Sequence, residues 1–585
     1  MGFHNLLPTT VFASRASKSK RRNMFGTKAA VLRGARLIGR RSLHRRQLRD
    51  APAAAAAICA GPGVSQRERG AHCSRRVGGL STAAGLKVAT AARQVQHGGE
   101  RFPSLLVTAD DITAEGSFAE TQATFMTPDP SLVSELDHLL PSKNMGVVAH
   151  YYMDAELQGT LAALKWEHVS VADSLAMGDA AVRMAEAGVS SVACLGVDFM
   201  AESVRATLDS RGFQGVPVYR LSESEIGCSL AEAAERKAYE AWLRKASATA
   251  NSMHVVYINT SLVTKALSHS LVPTITCTSS NVLHTVLQAF AQVPDLTIWY
   301  GPDTYMGENL HNMLTELAGM TDAQIREVHP KHDQASVRSL LPRFHYFRHG
   351  NCIVHHMFGD DVVERVRSNH ADAFHTAHLE VPGEMFRLAM EAQNKGRGVV
   401  GSTSNILGFI KDQTRGAVAR AGGAGEEAAG EKLSFVLGTE SGMITSIVRA
   451  VQEELRAHSN KTQVEIVFPV ASEAMTATGE SGDGSMQVVP GVSGGEGCST
   501  AGGCATCPFM KMNDLHSLLD VVGDANKSGA VPDVLKGFLP KRRAFTIDGQ
   551  DKTELGVVPI MHMRDLMKNG ALSDDLVSDV QSRCG

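Results

Sequence analysis

Three cysteines, separated by 124 and 155 residues, each close a similar stretch of chain. They are Cys228 in Ile226-Gly227-Cys228-Ser229-Leu230-Ala231, Cys352 in Gly350-Asn351-Cys352-Ile353-Val354-His355, and Cys507 in Thr506-Cys507-Pro508-Phe509-Met510. Three thiolates rather than four would hold an iron–sulfur cluster by three irons and leave the last iron open to a reactant. That is the logic of a Lewis-acid dehydratase. Other chemistry fits the surroundings of Cys507. Cys504 and Cys507 form a CxxC with Cys498 just upstream, so spacing alone also allows part of a zinc site, a redox disulfide, or a non-catalytic metal or redox sensor. Cys194 and Cys277 lie in apolar, strand-like runs, where a buried inert thiol is expected. Cys584, at the terminus, is expected to be exposed.

Acid–base groups come next. Of 23 histidines, His150, His355 and His378 are the best placed, each at a strand end or just after a cysteine. His269, His329 and His332 read as surface or loop residues. Glu380, two residues past His378, is a candidate general base, although an ordinary capping carboxylate has the same signature. Ser174, Ser279 and Thr403 lie in the clusters Asp173-Ser174, Thr278-Ser279-Ser280 and Ser402-Thr403, each ahead of a helical pattern. Hydroxyls there cap helices. A helix N-terminus with a hydroxyl also binds carboxylate or phosphate, so three converging ones suit a small, multiply anionic substrate. No P-loop or GxGxxG accompanies them, which argues against a nucleoside triphosphate or dinucleotide ligand.

These side chains need elements to hold them. From residue 145, short apolar runs alternate with helical patterns, the signature of βαβ units and parallel sheets. The grammar recurs three times, and the step from a polar strand end to a hydroxyl is 24 residues for His150 to Ser174, 22 for Tyr257 to Ser279 and 25 for His378 to Thr403. Long internal similarity implies equivalent units. The expected fold is α/β: three similar small sandwich domains with parallel sheets around a pseudo-threefold axis, cysteines at the centre. Their expected spans are 145–250, 251–372 and 373–528, after a lead-in over 101–144 and before a C-terminal helical extension over 529–585. Stretches rich in Gly, Ala, Ser and Glu near 417–432 and 476–497 read as flexible insertions.

Bulk composition sets the frame. A chain of 585 residues is expected to form several units, and 43% apolar with 20% charged residues is globular composition. No apolar run approaches the roughly 18 residues that span a bilayer, so no membrane role is expected. The net charge of −3 hides an asymmetry: residues 1–99 hold 19 Lys/Arg against Asp50 and Glu68, a charge of +17 that leaves −20 for the rest. Such a basic, Ala- and Ser-rich leader over 1–100 matches an organellar transit peptide. The acidic body argues against nucleic acid as a partner.

Taken together, Val148-Ala149-His150-Tyr151-Tyr152, Gly196-Val197-Asp198-Phe199-Met200-Ala201-Glu202, the Cys228 run, Val256-Tyr257-Ile258-Asn259-Thr260-Ser261, Cys277-Thr278-Ser279-Ser280-Asn281, Cys352-Ile353-Val354-His355, Gly401-Ser402-Thr403, Gly438-Thr439-Glu440 and Cys507-Pro508-Phe509-Met510 resemble the quinolinate synthase family. These are iron–sulfur enzymes of de novo NAD biosynthesis. The resemblance covers roughly residues 145–515 and is nearest to the plant and algal branch. It implies three α/β domains around a [4Fe–4S] cluster held by Cys228, Cys352 and Cys507. The implied reaction condenses iminoaspartate with dihydroxyacetone phosphate, losing phosphate and two waters to give quinolinate. Glu380 is then the proton-transfer residue, assisted by Tyr152, His150 and His378. Substrate contacts fall to His150, Ser174, Tyr257, Asn259, Ser279, His355, His378, Glu380 and Thr403. L-aspartate oxidase is implied as supplier of iminoaspartate, a homodimer is compatible, and the plastid is the implied compartment. The Arg-rich leader also fits mitochondrial import, and it is too short and basic for the sulfur-transfer domain of plant members, so separate sulfur-transfer and cluster-assembly proteins are expected. Where bacterial members carry His-Pro-Glu this chain has His378-Leu379-Glu380, and it has extra residues between His150 and Ser174. The competing enzyme reading is an aconitase-like dehydratase with a different acid substrate.

Overall fold

The computed structural model describes residues 101–422, 430–457, 461–469, 506–541 and 543–583, with the backbone of Val88–Thr90. The rest of the basic leader, the insertion over 476–497, and Cys498, Cys504 and Cys584 lie outside the described residues.

In chain order the strands begin with β1 (Val88–Thr90), β2 (Ser104–Val107) and β3 (Ile112–Glu115). A first parallel sheet follows, of β4 (Met145–His150), β5 (Val169–Ala172), β6 (Ser191–Leu195) and β7 (Val218–Tyr219), in the order β5-β4-β6-β7. The second contains β8 (Ser252–Tyr257), β9 (Thr274–Cys277), β10 (Thr297–Gly301) and β11 (Phe344–Tyr346), in the order β9-β8-β10-β11. The third has β12 (Phe374–His378), β13 (Gly398–Gly401), β14 (Lys432–Gly438) and β15 (Gln463–Val467), ordered β13-β12-β14-β15. Each sheet therefore places its strands second, first, third, fourth. Parallel sheets covered on both faces need continuous apolar strands rather than alternating ones. β4 and β8 accordingly bury every residue.

Register makes the repetition concrete. The last residues of the first strands, His150, Tyr257 and His378, pair with Ala172, Cys277 and Gly401. Two residues beyond those partners stand Ser174, Ser279 and Thr403. The third strands match as well, with Ala149, Val256 and Ala377 opposite Leu195, Gly301 and Gly438.

The lead-in is woven into two sheets. β2 and β3 extend the third sheet antiparallel from β15, and helix Pro130–Lys143 packs Leu136 and Leu140 into the core of the first. Helix Leu515–Asp524 joins that core through Leu518, Val521 and Val522.

Three expectations change. The stretch 417–432 is not wholly a loop: helix Thr403–Gly422 runs through its first residues because Ala417 and Val418 are buried, and β14 begins at Lys432. The extension over 529–585 is helical chiefly at its end, in Val558–Asn569 and Asp574–Arg583. Before these come the 3-10 segments Asp533–Phe538 and Thr553–Gly556 and a hairpin of β16 (Thr546–Ile547) and β17 (Gln550–Asp551). His269, His329 and His332 are buried rather than superficial. His329 bonds Gln288 Oε1 at 3.0 Å, its Nδ1 having no partner among the described residues, and His332 bonds the Leu287 carbonyl at 2.8 Å, so each ring is anchored inside the second unit. Cys194 and Cys277 are buried on β6 and β9. Among the described residues no helix is long and apolar enough to cross a membrane.

Candidate functional site

The three cysteines end loops that touch one another. Cys228 occupies the N-cap position of helix Ser229–Ala234, and the Ser229 hydroxyl donates to the Asn351 carbonyl at 3.0 Å, beside Cys352. Gly227 lies so near the Phe509 ring that a Cβ there would stand 3.2 Å from it, which brings the Cys228 and Cys507 loops together. The Cys507 backbone N–H donates to Glu440 Oε1 at 2.6 Å. Burial pushes the Cys228 thiol up to about 12 and holds Cys352 and Cys507 well above the ordinary thiol value. Nearby charge adds to this: Glu380, Cys507 and Cys228 each raise Cys352, and Glu440 and Cys228 raise Cys507.

Beside the sulfurs lies a buried ionic cluster. Glu380 sits in the turn just after β12, which ends at His378. Its Oε2 is 3.2 Å from His355 Nδ1, its Oε1 is 3.8 Å from His378 Nδ1, and Oε1 accepts from the Tyr257 hydroxyl. Burial alone would raise this carboxyl, but the His355 and His378 rings and the Tyr257 hydroxyl outweigh it and bring the pKa to about 2. Glu380 is therefore ionised. Desolvation lowers His378 to about 3 and His150 to about 4, so both imidazoles are neutral near pH 7. The same burial, with the charge of Glu380, lifts Tyr152 and Tyr257 well above the ordinary phenol value.

Other contacts complete the wall. His355 Nδ1 is also 3.3 Å from Cys352 Sγ, and its ring stacks on His378 at 4.8 Å and 19°. Tyr152 Oη lies 3.0 Å from Thr403 Oγ1 and 3.2 Å from Thr439 Oγ1, and Thr439 Oγ1 is 3.4 Å from His355 Nε2. The Tyr152 N–H donates to His150 Nδ1 at 3.2 Å, and His378 Nε2 is 3.2 Å from Ser279 Oγ. One linked network thus contains His150, Tyr152, Tyr257, Ser279, Cys352, His355, His378, Glu380 and Thr403. Ser174 and Asn259 are not tied into it by any described hydrogen bond. At Ser174 the cap of helix Ser174–Glu186 is made by Asp173, which accepts from the Leu175 and Ala176 N–H groups and leaves the serine hydroxyl out of capping.

Two residues of the site were not singled out from sequence, Thr439 and Glu440. Both lay in the strand-end run Gly438-Thr439-Glu440, and their signal was positional: an acid follows the third strand in every unit, as Asp198, Asp303 and Glu440. Burial, with the nearby charge of Glu380, raises the Glu440 carboxyl well above its ordinary pKa. The site therefore holds two glutamates whose pKa values are pushed in opposite directions, an arrangement suited to moving protons both ways. One sulfur, one ring nitrogen and one carboxylate oxygen, from Cys352, His355 and Glu380, lie within 4.8 Å of one another, a donor set able to hold a metal ion.

Parallel α/β sheets turning thiols, neutral imidazoles and an ionised glutamate to one buried centre define a metal-associated acid–base enzyme. The chain belongs to the quinolinate synthase family: the family described as Quinolinate synthetase A protein matches residues 134–462. It is 53% identical over 494 residues to the chloroplastic quinolinate synthase of Arabidopsis thaliana, covering 83% of this chain and 67% of that protein. The chloroplastic quinolinate synthase of Oryza sativa subsp. japonica is 50% identical over 517 residues, with 84% and 71% covered. The quinolinate synthase of Saccharolobus solfataricus is 26% identical over 394 residues, with 67% and 90% covered.

Proposed function

We propose that this chain condenses iminoaspartate with dihydroxyacetone phosphate, releasing phosphate and two waters to give quinolinate. The observation that carries the reading is the meeting of three cysteine loops beside an ionised glutamate in a member of this family. Cys228, Cys352 and Cys507 would hold a [4Fe–4S] cluster. When bound, the cluster supplies a Lewis acid at an iron without a protein ligand.

The chain's own residues do the rest. Glu380, already ionised, accepts protons as the substrates condense and cyclise, and Tyr257 and His355 hold its oxygens. Tyr152 donates a hydrogen bond toward substrate oxygen, while neutral His150 and His378 accept or donate without adding charge. Glu440 offers a proton to a leaving oxygen. Ser174 and Thr403, each the first residue of a helix, and Ser279, in the turn ahead of helix Val282–Gln292, bind carboxylate and phosphate groups together with Tyr257, Asn259 and His355. Burial of the whole network keeps bulk water from the imine.

Shared strand order and register support three α/β domains, 145–250, 251–372 and 373–528, related by a pseudo-threefold axis through the cysteines. The basic leader and chloroplastic relatives support plastid import. L-aspartate oxidase then supplies iminoaspartate, separate proteins deliver sulfur and the cluster, and the chain assembles as a homodimer. The test is anaerobic reconstitution followed by turnover of iminoaspartate plus dihydroxyacetone phosphate, with quinolinate read by chromatography. A cluster-loaded sample that yields none overturns the reading.

A further inference from the structure

Glu380 stands in a turn, not in a strand or helix, and its two neighbours expose buried carbonyls. Leu379 is 2% and Val381 0% exposed, so water cannot satisfy them. One side chain does. Asn309, itself 0% exposed, donates from Nδ2 to the Leu379 carbonyl at 3.0 Å and to the Val381 carbonyl at 2.8 Å. The amide thus brackets Glu380 from both sides. Its own Oδ1 has no hydrogen-bond partner among the described residues. An unpaired buried oxygen is unfavourable, so the orientation that serves the turn is held against a local penalty.

The same helix holds a second loop of the site. Asn309 lies on Thr304–Leu317, whose first residue exchanges two bonds with Gly350: the Thr304 N–H donates to the Gly350 carbonyl at 2.7 Å and the Gly350 N–H to Thr304 Oγ1 at 3.1 Å. Two residues later comes Cys352. A helix of the second unit therefore fixes both the Cys352 loop and the Glu380 turn of the third unit, and Asn309 is its only side chain described as bonded to that turn. The other backbone restraints there, Leu379 N–H to the Gly401 carbonyl at 3.1 Å, Glu380 N–H to His378 Nδ1 at 3.3 Å and Val381 N–H to the His378 carbonyl at 3.3 Å, leave both bracketed carbonyls to Asn309.

We propose that Asn309 is a positioning residue for catalysis, orienting the Glu380 carboxylate by clamping the carbonyls on either side of it. The inference rests on the activity proposed above. Misplacing a reacting group by about 1 Å costs on the order of 100-fold in rate. In reconstituted full-length protein, Asn309→Ala should lower kcat about 30- to 100-fold, with KM within about threefold and the visible cluster absorbance unchanged. In a Glu380→Gln background the same substitution should lower kcat by less than about threefold, because the group it orients is gone. Should Asn309→Ala fail to fold, Asn309→Leu carries the test, since it fills a similar volume without either donor. An equal fold-loss in both backgrounds assigns Asn309 a purely structural role and overturns the proposal. So does a folded, cluster-loaded variant with wild-type kcat. If the wild type itself makes no quinolinate, the activity fails instead, which separates the two claims.

Discussion

The acid that follows the third strand does different work in the first and third units, although the two share strand order and register. In the first, Asp198 pairs with the buried Arg220 at 2.8 Å. Arg220 also donates to the Gly537 carbonyl at 3.2 Å and the Leu539 carbonyl at 3.3 Å, so this acid helps strap the C-terminal extension to the sheet. In the third, Glu440 takes the Cys507 N–H and faces the thiols. The second unit shows a further use, with Asp303 capping helix Thr304–Leu317 through the Met306 N–H. A repeated backbone supplies equivalent positions. What each acid does depends on what faces it: Asp198 meets a buried arginine, whereas burial raises the Glu440 carboxyl well above its ordinary pKa, with partial offset from the Cys507 N–H and Lys511.

Substitutions in each unit test how far this difference extends. If all three units serve one centre, Cys228→Ala, Cys352→Ala and Cys507→Ala should each lose the visible cluster absorbance and at least about 1,000-fold in turnover, the scale of losing several kcal/mol of charge stabilisation. A variant of the three that keeps both would remove its unit from the site. Glu380→Gln should lower kcat by about 10²- to 10⁴-fold with the fold intact, as for a lost general base. Asp198→Ala should do the reverse, keeping kcat within about threefold while losing roughly 3–5 kcal/mol in urea unfolding, because Arg220 is left buried and unpaired. Ser279→Ala and Thr403→Val should raise KM about 10-fold or more, since each removes a hydrogen bond to a charged group. The corresponding substitution at Ser174 reports whether the first unit contributes equally.

The smallest effect concerns Lys265, fully buried beside Glu202 and donating to the Ile258 carbonyl at 3.1 Å and to Thr260 Oγ1 at 2.9 Å. Desolvation lowers its pKa from 10.5 to about 7. Between these values the unfolded chain binds more protons than the folded one, so stability rises with pH across that window. Thermal unfolding at pH 7 and pH 10 should show the wild type gaining on Lys265→Met as pH rises; an unchanged difference would contradict it.

Much of this was legible in the primary structure. Strand ends such as His150 and His378 stood out because a fully buried parallel strand is a run of apolar residues, and its first polar residue marks where the sheet opens. The near-constant step to Ser174, Ser279 and Thr403 followed, since one helix and one turn fix that length. Side chains without periodicity were harder. Thr439 and Glu440 sit in a turn, where no pattern separates an inward from an outward carboxylate. His329 and His332 looked superficial because imidazole is polar, yet one hydrogen bond each to Gln288 and Leu287 makes burial tolerable. The Ala-rich start of 417–432 read as a linker, but alanine favours helix and the packing of Ala417 and Val418 extended it. Replacing proline by Leu379 left the rigidity of the Glu380 turn unspecified in sequence, since its brace comes from Asn309, 71 residues upstream.

The order of the sulfurs along the polypeptide bears on maturation. Cys228 and Cys352 are synthesised before Cys507, which follows Cys352 by 155 residues. If the three hold one cluster as proposed, a nascent chain that stops short of Cys507 carries two of its three anchors, so completion of the site follows synthesis of the whole third sheet.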